Sequence, residues 1–239
     1  MTEPRSSEPP DGRLPDDTTP GGIATPEFIA SLLVDGDDDL AAWAIGQALE
    51  ERPRAVVFDE VLRGAMELVG SNWESGHWLI SQEHLATVAL TAALARVRPG
   101  DAAETRVGPV AVLAAPVGEE HVTGLACLAQ ILEEHGWRVE NLGANVPAED
   151  LQRFIAGRTI DLVGLSIATR ERLPALHRTI EVLRAGQPAD GHVPILVGGH
   201  GIADHETALA GADHVSPTLA DAELFIAALQ PRIEDSLGG

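Results

Sequence analysis

Between about Thr25 and Arg98, apolar residues recur every three to four positions, the period of helices with one buried side. Thr25-Pro26-Glu27 is built as a helix start, with a hydroxyl N-cap, a proline in the first turn and an early acid. Phe28, Ile29, Leu32 and Leu33 follow, and the acidic turn Asp35-Gly36-Asp37-Asp38 ends this first helix. Leu40, Trp43, Ala44, Gln47 and Ala48 carry a second. Pro53 opens a third, with Val57, Val61, Leu62, Ala65 and Val69 on one side, and residues 71–78 break it. Ser81-Gln82-Glu83-His84 leads into a fourth, alanine-rich helix that runs to about Arg98. Four helices joined by short connections predict a small bundle.

The rhythm changes at Pro99-Gly100-Asp101. Short apolar runs predict strands over 110–115, 138–142, 161–166, 194–197 and 214–215, alternating with helices near 121–136, 148–157, 171–186, 203–210 and 219–229. That alternation predicts a parallel sheet wrapped by helices, with ligands at the carboxyl ends of its strands. The fold class expected is therefore α plus α/β. A four-helix bundle over 25–98 and a linker over 99–107 lead to a Rossmann-like (flavodoxin-like) domain over 108–232.

Residues 1–24 are rich in Pro, Gly, Asp, Ser and Thr and carry almost no large apolar side chain. Such a tail cannot bury enough surface to offset its ordering entropy, so it is expected to be disordered. It lacks the apolar centre of a secretory signal, and no later run is long and apolar enough to span a bilayer. Sixteen Lys and Arg face 37 Asp and Glu, a net charge of −21, which argues against direct nucleic-acid binding. The single cysteine, Cys127, excludes an internal disulfide, reads as a small buried helix residue and suits a reducing cytoplasm. A cytoplasmic protein is expected.

Candidate chemistry begins where the first predicted strand ends, in Pro116-Val117-Gly118 followed by Glu119-Glu120-His121-Val122-Thr123-Gly124. An acid two residues before a histidine can accept the proton of one ring nitrogen and leave the other as a lone pair for a metal. Gly124 lets the next helix approach something bulky. Alone, a loop histidine of this kind is more often solvated than a ligand. His200 and His205, with Asp204, lack a third ligand at zinc spacing and read as surface loop. His135, His177, His192 and His214 read as solvated or loop residues.

The wider spacing changes that reading. Ser166-Ile167-Ala168 ends the third predicted strand, and Gly198-Gly199 ends the fourth. The set resembles the D-x-H-x-x-G, S-x-L and G-G fingerprint of the cobalamin-binding domains of methionine synthase and base-exchanged mutases, over residues 108 to about 230. The resemblance implies that His121 is the lower cobalt ligand. It also implies that the displaced dimethylbenzimidazole tail runs into a slot lined by Ser166, Gly198 and Gly199, with Gly118, Glu119, Val122, Gly124 and Ala168 around the cofactor. Glu119 stands where the family has Asp, and Ala168 where it has Leu.

In such proteins the helical domain covers the upper face of the corrin. Trp73, nine residues and then Glu83-His84 form a W-x9-EH pattern that resembles the adenosylcobalamin-dependent photoreceptors of the light-responsive regulator type. The resemblance implies that Trp73, Glu83 and His84 meet the upper ligand. An indole supplies a rigid apolar wall, and a carboxylate accepts from ribose hydroxyls. Family photoreceptors often carry a histidine directly after the tryptophan; this chain has Glu74. Residues 1–24 are too few and too polar for a helix-turn-helix domain. The expectation is a cobalamin light sensor that is not an enzyme, with adenosylcobalamin favoured over methylcobalamin or hydroxocobalamin. Its output would pass through a protein partner or self-association. The alternatives are a corrinoid carrier in a methyltransferase system and a cofactor-free α/β interaction module.

Overall fold

The computed structural model describes residues 24–99, 108–187, 192–202 and 209–237, the last eight of these by backbone alone. Residues 1–23 of the expected tail over 1–24, most of the linker, and residues 203–208 of the helix expected near 203–210, with Asp204 and His205, lie outside the described residues. The chain divides into two compact units at residue 100.

The first unit is helical. Helix α1 (Pro26–Val34) starts where the Thr25 hydroxyl accepts the Phe28 N–H at 3.2 Å, and α2 (Asp38–Glu51) starts where Asp37 accepts from Leu40 at 3.2 Å. Helix α3 (Arg54–Val57) continues through one π-helical turn, Phe58–Leu62, into α4 (Arg63–Glu74), the backbone staying in the αR region throughout. Helix α5 (Ile80–Arg96) completes the bundle. Leu33, Ile45, Phe58, Leu90 and Leu94 fill its core. The third helix outlasts its expected break at residue 71 because Ser71 Oγ and Asn72 Nδ2 donate back to the Leu68 carbonyl, at 3.1 and 2.8 Å, within the helix. Gly76 ends it instead, at φ +75°, with its N–H on the Trp73 carbonyl and that of His77 on the Asn72 carbonyl.

The second unit holds a five-stranded parallel sheet: β1 (Val110–Ala114), β2 (Arg138–Asn141), β3 (Leu162–Ser166), β4 (Ile195–Gly198) and β5 (His214–Ser216), in the order β2-β1-β3-β4-β5. The central strands VAVLA and LVGLS are buried on both faces, which is why they read as unbroken apolar runs. On one face Val112, Val163, Leu165 and Ile195 pack with Leu151 of α7 (Ala148–Ile155) and with Leu176 and Ile180 of α8 (Leu173–Gly186). Helices α6 (Thr123–Glu134) and α9 (Leu219–Leu237) pack together, and α6 also meets β1 and β3. Cys127 is buried on α6.

Three histidines read as solvated or loop residues each meet a carboxylate, His192 while remaining mostly exposed in a loop. Each Nε2 meets its partner oxygen: His135 and Glu223 at 3.0 Å, His192 and Asp213 at 2.6 Å, and His214 and Asp221 at 2.7 Å. His214 also stacks on Phe225, with ring centroids 4.5 Å apart. No helix among the described residues is long and apolar enough to cross a membrane.

Candidate functional site

The chain leaves β1 toward β2 on one side, while β3 lies on the other, so a crevice opens at the carboxyl ends of β1 and β3. One side chain hydrogen-bonds the loop after β1 to the segment after β3. Glu119 is buried, and its Oε1 accepts the His121 backbone N–H at 2.9 Å and the His121 ring Nδ1–H at 2.7 Å. Its Oε2 accepts the Ala168 N–H at 2.8 Å. Burial works against the charge, but the N–H groups of His121 and Ala168, and then the His121 ring, outweigh it and hold the carboxyl below its ordinary range.

An ionised carboxylate only accepts hydrogen bonds, so the proton of the neutral ring sits on Nδ1 and the lone pair on Nε2. The His121 side chain is 64% exposed and its Nε2 has no partner among the described residues. Among those residues no group of three or more His, Cys, Asp or Glu could hold a metal ion. The site therefore offers one imidazole, which suits a metal that arrives with its other ligands already in place.

Beside it lies a cradle of small residues. Ser166 ends β3, is 9% exposed, and its Oγ has no hydrogen-bond partner among the described residues. That oxygen lies 3.3 Å from where a Cβ on Gly124 would stand, and 2.9 Å from one on Gly199. Gly199 sits at φ +103°, and a side chain there would also strike the Ile167 carbonyl. Gly198 pairs with Ser166 across β3 and β4. Val122 is the N-cap residue of α6, so Gly124 falls in the exposed first turn. An unpartnered hydroxyl in a glycine-lined cradle, at the same end of the sheet as a free imidazole nitrogen, fits a cofactor with a metal centre and a narrow appendage.

Two contributors were missed in the sequence or little used. Asn145, in the left-handed region at φ +57°, accepts the Gly118 N–H at 2.8 Å and donates its own N–H to the Glu119 carbonyl at 3.0 Å. Its signal was a Gly-Ala-Asn turn directly after a strand. Arg172, in the 3₁₀ turn Arg170–Arg172 before α8, lies over Gly118.

The other predicted set lies in the first unit. Trp73 stands on the last turn of α4 and is 42% exposed, while Glu83 and His84 fall in the first two turns of α5. Glu83 accepts from the Thr87 hydroxyl at 3.3 Å, and His84 Nε2 lies 3.5 Å from its other oxygen. No polar contact joins Trp73 to either residue, but Leu79 and Ile80 at the same corner are also exposed.

Comparison with known proteins adds to this geometry. Models of the B12 binding domain match residues 109–223 and, separately, 27–98. The HTH-type transcriptional repressor CarH of Myxococcus xanthus is 35% identical over 171 residues, 71% of this chain and 56% of that protein. CarA of the same organism is 36% identical over 132 residues, 54% of this chain and 44% of that protein, so the chain spans about half the length of these curated relatives. Dimethylamine corrinoid protein 1 of Methanosarcina acetivorans is 25% identical over 83% of this chain and 96% of its own length. Among solved structures, the Methanosarcina barkeri monomethylamine corrinoid protein superposes with a TM-score of 0.69, at 18% identity, over 86% of this chain and 98% of that one, a likeness of fold. A helical unit followed by a five-stranded parallel sheet, each matched by its own model, identifies the chain as a member of the B12-binding domain family, a helical cap joined to a Rossmann-like module.

Proposed function

We propose that this protein is a light sensor that holds adenosylcobalamin, with residues 25–98 as cap and 108–232 as cofactor-binding domain. The observation that carries the reading is the Glu119 clamp, which fixes His121 with its Nε2 lone pair outward beside the unpartnered Ser166 hydroxyl. His121 serves as lower cobalt ligand. Ser166, Gly198 and Gly199, with Gly124 and Ala168 at the edges, receive the nucleotide tail. Trp73, Glu83 and His84 attend the upper ligand: the half-exposed indole gives an apolar wall and excludes water, and Glu83 gives an acceptor. The chemistry that the cofactor supplies is a cobalt–carbon bond that visible light can break. The similarity to the CarH and CarA repressors supports a regulatory role, without substrate turnover, read out through a protein partner or self-association in the cytoplasm. The charge of −21 speaks against contact with nucleic acid by these residues themselves.

A methyl carrier is the second reading, favoured by the match to almost the whole length of a dimethylamine corrinoid protein. An absorption spectrum of the protein loaded with adenosylcobalamin, before and after green light, separates the two. Clean conversion to a stable light-adapted form is expected of the sensor, and binding with no distinctive conversion favours the carrier. In parallel, His121→Ala is expected to weaken binding and to remove the spectral mark of imidazole ligation. Unchanged affinity and spectrum would overturn the assignment of His121.

A further inference from the structure

Arg172 is the last residue of the 3₁₀ turn that follows β3, at the same end of the sheet as His121. Its guanidinium lies on the loop that leads to Glu119. A Cβ added at Gly118 would stand 2.7 Å from Nη1 and 3.2 Å from Cζ, and Gly118 itself sits at φ +81°. Glycine there meets the backbone requirement and leaves room for the arginine. In a chain where acids outnumber bases 37 to 16, Arg63, Arg153, Arg178 and Arg184 each hold a carboxylate. The Arg172 side chain makes no hydrogen bond or ion pair among the described residues, and it acts only through its field on neighbouring Glu171. Its guanidinium donors thus lie beside the site with no acceptor among the described residues.

Resting on the cobalamin reading of the same site, we propose that Arg172 is a recognition residue for the rim of the tetrapyrrole, donating to the carbonyl of a peripheral amide. Cobalamin offers a guanidinium two kinds of acceptor, the neutral amides around its ring and the anionic phosphodiester of its tail. Strand alternation chooses between them. Leu165 packs among Leu176 and Ile180 of α8, so Ser166 faces the other side of the sheet, where Gly124 of α6 adjoins it. The tail slot is on that side, whereas Arg172 comes from the start of α8. Its donors meet the ring edge.

The test is equilibrium dialysis in darkness with adenosylcobalamin and with adenosylcobinamide, which keeps the ring and its amides but has no nucleotide. Arg172→Ala is expected to raise Kd for both ligands alike, by about tenfold for a charge-assisted hydrogen bond. Arg172→Gln, which restores a neutral donor, is expected to recover part of that loss. Weakening of adenosylcobalamin alone would transfer Arg172 to the phosphodiester and overturn the proposal. So would unchanged Kd values, or a wild type that binds adenosylcobalamin but no adenosylcobinamide. A wild type that binds neither ligand rejects the cobalamin reading itself, and the proposal with it.

Discussion

A carboxylate buried as deeply as that of Glu119 keeps its charge only because three N–H groups converge on it, two from His121 and one from Ala168. The extra methylene relative to aspartate is used, since this one side chain spans from the loop after β1 to the residue two beyond the end of β3. Folding depresses its pKa, so it stabilises the native state above its unfolded pKa of about 4.3 and loses that contribution as pH falls through the lower folded value. Glu119→Gln is expected to cost about 1–3 kcal/mol at neutral pH, because the amide presents an N–H where two oxygens now accept. Urea denaturation of both proteins checks this: the gap between them should hold from neutral pH to about 4.3 and close at more acid pH. A gap that persists below the folded pKa would mean that shape rather than charge sets the contribution. Val122 and Gly124 then enter α6 from a ring already oriented, so the tautomer of His121 is set before any ligand arrives.

At the scale of elements, the helical unit relies on a polar tie that periodicity does not reveal. Arg54, 8% exposed at the start of α3, donates from Nη1 to the Val97 carbonyl just past α5 at 3.0 Å, with its guanidinium 5.6 Å from the centroid of Phe58. Arg54→Ala is expected to remove about 2–3 kcal/mol by leaving a buried carbonyl unmet and the Phe58 face bare, read as a lower Tm in thermal unfolding. Features held by neighbours in sequence were legible beforehand: Thr25 as a cap, VAVLA and LVGLS as apolar strands, and the Glu119–His121 pair. Features made by long-range contact were not. Nothing near His214 announces Phe225 beneath it or Asp221 beside it, and Asn145 reaches Gly118 across 27 positions. The end of α4 is a middle case. Ser71 and Asn72 look like breakers, yet they bond within their own helix, and the stop signal was Gly76. That difference puts Trp73 on the final helical turn of α4 rather than in a loop, a firmer footing for the ligand contact proposed for it.

For the whole molecule, the charge of −21 constrains the output that the proposed light-sensor role requires. Two copies of the chain repel at long range, and so would a copy and any acidic partner, whereas a basic partner is drawn in. Screening therefore separates the two routes by sign. Between about 0.01 M and 0.15 M salt the Debye length falls from about 30 Å to about 8 Å, so repulsion between copies fades while attraction to a basic partner weakens. If the output is self-association, sedimentation velocity of the protein loaded with adenosylcobalamin in darkness should show the larger species growing as salt rises, and light should shift the balance at each salt concentration. A dark complex that dissolves on adding salt would instead show that attraction between opposite charges holds it, which a uniformly acidic contact between copies cannot supply. A sample that stays monomeric in both lights at every salt concentration would leave a separate partner as the route, with a basic surface as its expected character.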